Sequence, residues 1–151
     1  MLQELQESSS SFLVATFFIG ETQWGIDTLR VQEIIRVVNV TPVRNAPGYI
    51  SGIINLRGKI VTVIDLGRKL ELSDSEPGQD SRIIIVDWND EHIGLLVDRV
   101  ADVVPADKPQ IAPAPSNVKG VQASFLEGVL RTQEKLIAIL EIDKILSLNK
   151  S

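Results

Sequence analysis

The sequence predicts a mainly β protein made of two small barrels of about five strands each. Apolar residues come in short runs of strand length instead of long helical stripes. Turn-forming pairs separate those runs. One block also recurs: ISGIINLRGKIVTVIDLGRKL aligns with LEGVLRTQEKLIAILEIDKIL, placing Gly52 on Gly128, Lys59 on Lys135, Asp65 on Glu141 and Leu70 on Leu146 at a constant offset of 76. A five-stranded antiparallel sheet that closes on itself loses its exposed edges, so a repeated unit of this size suggests two barrels. A single sandwich of about ten strands is the alternative, and the repeat argues against it.

In chain order, residues 12–19 read as a strand, Gly20-Glu21 as a turn and 24–27 as the returning strand. Residues 52–56 and 59–64 form the next pair around Arg57-Gly58. Residues 82–88 and 92–97 flank Asn89-Asp90, a pair that tolerates positive φ and suits a tight hairpin. The last pair is 125–131 with 135–140. Short helices are expected at 66–70 and 142–147, each after an acidic residue that favours a helix amino terminus. Residues 71–81 are polar with Pro and Gly and read as a linker. Residues 105–117 hold four of the seven prolines and read as a loop or edge segment. A weaker match sets GIDTLRVQEII over GLLVDRVADVV, pairing Gly25 with Gly94 and Glu33 with Asp102 at an offset of 69. The seven extra residues enter the second copy at the Pro-rich segment.

The 151 residues suffice for one domain or two small ones. With 20 acidic and 15 basic residues the net charge is -5, which argues against a phosphate-backbone binder. Cysteine is absent, which excludes disulfides and thiolate metal sites. The opening MLQELQESSSS lacks the basic and apolar regions of a signal peptide, and no apolar run approaches the ~20 residues that cross a bilayer. The expectation is a cytoplasmic protein with disordered residues 1–11, a folded domain over 12–147 and a short tail at 148–151.

Two copies of one unit act as an internal control: shared positions serve the fold, and differing ones are free for function. Asn55-Leu56-Arg57-Gly58 faces Arg131-Thr132-Gln133-Glu134, an ordinary polar turn. An arginine beside apolar residues is a common protein-binding composition, although Arg57 as a solvated turn residue and Ile53, Ile54 and Leu56 as core remain equally open. No catalytic set is apparent. His92, the single histidine, lies in an alternating strand without a nucleophile motif. Asp65 and Glu141 occupy matching positions before helices and read as capping or surface residues, and Trp24 and Trp88 as core plugs. The glycines follow no phosphate-loop spacing, and one histidine with scattered carboxylates is a poor metal set. No cofactor is expected.

The strings GIDTLRVQEII, TPVRNAPGYISGIINLRGKIVTVIDL, IGLLVDRVADVV and FLEGVLRTQEKLIAILEIDKIL, in that order, resemble the CheW family of bacterial chemotaxis adaptors over residues 12–147. GxxNLRG followed by an apolar strand and Asp-Leu is the specific signature; Thr62 departs from the proline often found there. The resemblance implies two SH3-like five-stranded barrels around a shared hydrophobic core, and no catalysis. It implies partners: the regulatory domain of a CheA-type histidine kinase, the cytoplasmic helical hairpin tip of methyl-accepting chemoreceptors, and ring contacts with other CheW-like domains. It implies neither nucleic acid nor membrane insertion, and location at the inner face of the membrane through the receptor array. By motif position, Val31, Gly52, Ile53, Arg57 and Ile60 resemble receptor- or array-side determinants. Val97 and Val100 are expected to line a groove from the second barrel. Glu33 and Leu56 resemble kinase-side determinants. The output could be flagellar or a pilus-type pathway. A small β-barrel enzyme and an oligonucleotide-binding barrel are the remaining alternatives.

Overall fold

The computed structural model describes residues 11–72, 76–118 and 120–147. The expected tails at 1–11 and 148–151 lie almost wholly outside them. The strands are β1 (Ser11–Ile19), β2 (Thr22–Asp27), β3 (Val31–Arg36), β4 (Ile50–Leu56), β5 (Lys59–Asp65), β6 (Arg82–Trp88) and β7 (Glu91–Val97). They continue with β8 (Arg99–Asp107), β9 (Ile111–Ala112), β10 (Asn117–Val118), β11 (Val121–Gln122), β12 (Leu126–Arg131) and β13 (Leu136–Leu140). The helices are α1 (Leu66–Lys69) and α2 (Ile142–Ser147). The expected hairpins and both helices are present. Asn89 and Asp90 have φ of 52° and 64°, the two positive values that a type I′ turn demands. The Asp65 carboxylate caps α1 by accepting the Arg68 backbone N–H at 3.2 Å.

Two sheets carry the fold, in the orders β8-β1-β2-β13-β12-β9 and β3-β6-β7-β5-β4, with β10-β11 as a separate hairpin. The repeat explains both orders. In the five-stranded sheet β5 runs parallel to β7, with Val63 opposite Gly94. In the six-stranded sheet β13 runs parallel to β2, with Ile139 opposite Gly25. A bulge separates Ile50 from Gly52 in β4, and the same bulge separates Leu126 from Gly128 in β12. The cores match as well: Ile54, Val61, Val63 and Ile83 pack in one, and Leu130, Ile137, Ile139 and Val14 in the other, all buried. Each such aliphatic contributes about 1.5–3 kcal/mol on burial.

The division into units differs from a simple halving of the chain. Among the described residues, one unit comprises 11–16, 23–29 and those from 101 to 147, and the other 17–22 and those from 30 to 100. Each therefore draws strands from both halves, because the partner of β2 is β13. Residues 71–81, expected near the boundary between subdomains, lie inside the second unit between α1 and β6. Two further corrections concern single elements. Strands β3 and β8 depart from the expectation, since charged residues interrupt their apolar pattern; each lies at a sheet edge, the position where a strand tolerates a proline such as Pro105 of β8. Trp24 is a core plug at 0% exposure, whereas Trp88 is only half-buried beside its turn. The Pro-rich segment supplies edge strands, as expected.

Candidate partner-binding site

The site is built around the β4–β5 turn of the second unit. Leu56 pairs with Lys59, leaving a two-residue loop of Arg57 (φ 51°) and Gly58 (φ 86°). This is the type I′ pattern, and Asn55 closes it by accepting the Gly58 N–H at 2.9 Å. An arginine in the left-handed region costs about 1–2 kcal/mol relative to glycine. The counterpart turn in the first unit avoids that cost. Neither Gln133 nor Glu134 has positive φ, and Thr132 Oγ1 closes the loop by accepting the Lys135 N–H at 3.1 Å.

Arg57 projects its guanidinium onto Glu33 of β3. Nη1 donates to Oε1 at 3.3 Å and Nη2 to Oε2, so the contact is a two-point fork. Because β3 and β4 are opposite edges of the five-stranded sheet, this contact requires the sheet to curl until its edges meet. The hydrogen bond from Arg57 holds the Glu33 carboxyl below the usual carboxylate range, and Glu33 in turn raises the guanidinium. A pocket of about 330 Å³ opens beneath the pair, lined by Gln32, Glu33, Leu56, Arg57, Lys59 and His92.

A bulge in β3 puts Glu33 there. Val31 pairs with Val86 but Glu33 pairs with Ile85, so two residues that a regular strand would place on one face are turned to opposite faces. Val31 instead shares a cross-sheet row with Val86, Ile93, Thr62 and Ile53. Val86 and Ile93 in that row are buried, and half-buried Val31 and Ile53 emerge at its two ends. Ile60 lies on the same face of β5 and is 63% exposed.

Of the expected residues, Arg57 contacts Glu33 and shares its pocket with Leu56, whereas Val31, Ile53 and Ile60 lie on the other face of the sheet. Gly52 is buried, with φ of 148° and an imagined Cβ only 2.2 Å from the Thr41 carbonyl oxygen. It shapes the site and offers it no surface. Val97 and Val100, expected to line a groove from a second barrel, belong to the same unit as Arg57. Val97 ends β7 at 2% exposure and is core in this chain; Val100 is half-buried. Sequence reasoning missed the Arg57–Glu33 pairing, for which no sequence spacing gives a signal. It also missed the place of His92 in the pocket. Among the described residues no group of three or more metal-ligating side chains converges.

The profile of the CheW-like domain matches residues 13–150. The chain belongs to the CheW family. Chemotaxis protein CheW of Klebsiella aerogenes is 34% identical over 131 residues, 87% of this chain and 79% of that one. Chemotaxis protein CheW of Thermotoga maritima is 32% identical over 145 residues, 96% and 94% of the two chains. The crystal structure of the scaffolding protein TtCheW from Thermoanaerobacter tengcongensis superposes with a TM-score of 0.85 at 36% identity, covering 93% of this chain and 90% of that one. The mainly β CheW fold that the resemblance implied is therefore the fold of this chain.

Proposed function

We propose that this CheW-family protein is a non-catalytic adaptor of bacterial chemotaxis, joining methyl-accepting chemoreceptors to the regulatory domain of a CheA-type kinase. The observation that carries this reading is the asymmetry between the units. Only the second bears the strained Arg57-Gly58 turn and the Glu33 fork; the exposed Ile60 beside them has an exposed counterpart, Leu136, in the first. A left-handed non-glycine residue at a hairpin tip is poor for folding, and the first unit folds without one. Its retention is consistent with selection for the guanidinium at that place. Val31, Ile53 and Ile60 supply apolar surface on one face of the sheet, and Arg57 with Glu33 a charged pair where its edges meet, residue types common in protein-binding hot spots. Weak single contacts suffice when many copies assemble, because avidity multiplies them. Among the described residues no helix is long and apolar enough to cross a membrane. The adaptor reading places the protein in the cytoplasm, held at the membrane by its receptors.

The test is reconstitution. Kinase activity is measured with receptor-containing membranes, with and without this protein, using the kinase and receptors of its own cell. Receptor-dependent kinase activity should require it. Equal activity in its absence, with no retention of the kinase on the membranes, refutes the reading.

A further inference from the structure

The pocket under Arg57 contains a group with no part in the adaptor reading. His92 enters it from β7. Its Nδ1 lies 2.7 Å from Oδ1 of Asp87, the cross-strand partner on β6. Asp87 is held on its other side, where Oδ2 accepts the Gln32 side-chain N–H at 2.6 Å, and its backbone carbonyl accepts from Arg30 at 3.0 Å. The charged groups around the imidazole are thus Asp87 from β6, Glu33 from β3, Arg30 from the turn before β3, and Arg57 and Lys59 from the β4–β5 hairpin. Two carboxylates face three cations when the imidazole is neutral. Two face four when it is protonated.

We propose that His92 is a proton-operated latch on Arg57. With the imidazole neutral, Glu33 is committed to the guanidinium and the hairpin tip is pinned to β3. The imidazolium shares Glu33 and repels Arg57 and Lys59 across the same 330 Å³ pocket, so the fork loosens and the guanidinium turns outward. Asp87 keeps the imidazole in place in both states. Its anchoring by Gln32 prevents the ring from following the new charge away from the pocket. Histidine is the side chain whose charge changes between about pH 5 and 8. Glu33, held below the ordinary carboxylate range, stays ionised across that window. As the chain has one histidine, its imidazole signal is unambiguous.

The latch is independent of what Arg57 binds; only its consequence for partner affinity rests on the adaptor reading. The test follows two NMR signals of the full chain from pH 8 to pH 5: the imidazole carbon-bound proton and the Arg57 side-chain N–H. The expected result is that the Arg57 signal moves with the same midpoint as the imidazole and exchanges faster with water on the acid side. In His92→Gln that movement is absent. An Arg57 signal that is flat through the imidazole transition overturns the latch, as does movement that survives in His92→Gln. Binding of the cognate kinase regulatory domain is then measured across the same range. If the Arg57 signal follows the imidazole but affinity does not, the latch stands and the reading of Arg57 as a partner residue fails.

Discussion

Replacing Gly52 with alanine tests the architecture of the site. Gly52 sits at the β4 bulge with φ of 148°, and a Cβ there would meet the Thr41 carbonyl oxygen at 2.2 Å and the Val40 side chain at 2.8 Å. Thr41 and Ile53 exchange two backbone hydrogen bonds across this approach, at 2.9 and 2.8 Å. The methyl group forces them apart. Each hydrogen bond is worth about 1 kcal/mol net, and a non-glycine residue in this backbone region costs about 1–3 kcal/mol, so the loss sums to about 3–5 kcal/mol. For a chain of this size that lowers Tm by about 6–20 °C. Gly58→Ala is the matched control. Its φ is 86° but nothing lies within 4 Å of its imagined Cβ. The expected cost is only about 1 kcal/mol, or about 2–4 °C. The assay is thermal melting by circular dichroism, with amide exchange at Thr41 and Ile53 to locate the damage. If Gly52→Ala melts no lower than Gly58→Ala, the close approach is not what requires glycine there, and the reasoning fails.

Asp65 is half-buried and burial raises its carboxyl, with Asp98 adding to the effect. Ionising it therefore costs the folded state more than the unfolded chain. The penalty is absent below the unfolded value, grows as pH rises through the folded one and is complete at neutrality. Asp65→Asn keeps a capping oxygen, so its Tm should exceed the parent's at pH 7 and the gap should close toward about pH 4; a deficit equal at both pH values would contradict this. Arg57→Glu should abolish receptor-coupled kinase activity while leaving Tm within about 2 °C, since the side chain is 69% exposed. Adding Glu33→Arg should not recover activity. Recovery would mean that Arg57 works only by holding the turn. Thr132→Ala in the first unit should cost about 0.5–1.5 kcal/mol and leave kinase coupling unchanged, which melting and the reconstitution assay together check.

The repeat made the architecture legible. The offsets of 76 and 69, read from letters alone, reappear in the paired bulges, the parallel pairings and the two matched cores. Strand partners were not legible, because periodicity says which face of a segment is buried and nothing of which strand lies beside it. Hence the interleaving of the two units leaves no signal in the letters. The site followed the same divide. The absence of a counterpart to NLRG singled out Arg57 correctly as unusual. Glu33, by contrast, reaches it only because a bulge in β3 reverses its face, and VQEIIR, with its Gln-Glu and Ile-Ile doublets, has no period from which a bulge could be read. Val97 failed as a surface candidate for a simpler reason: residues 93–97 are all buried, and no local polarity distinguished the last of them.

The interleaving also sets an order of events during synthesis. The second unit takes nearly all its strands from the continuous stretch 30–100 and can close once that stretch has emerged. The first cannot. Trp24 of β2 pairs in register with Ala138 of β13, a residue 114 positions later, which at ordinary translation rates of about 5–20 residues per second arrives roughly 6–20 s afterwards. Throughout that interval β1 and β2 present apolar residues destined for a core to whatever else is nearby. Contacts so distant in sequence make folding slow, so the amino-terminal hairpin is the part of the nascent chain most exposed to misassembly, and the place where a chaperone would have most to protect.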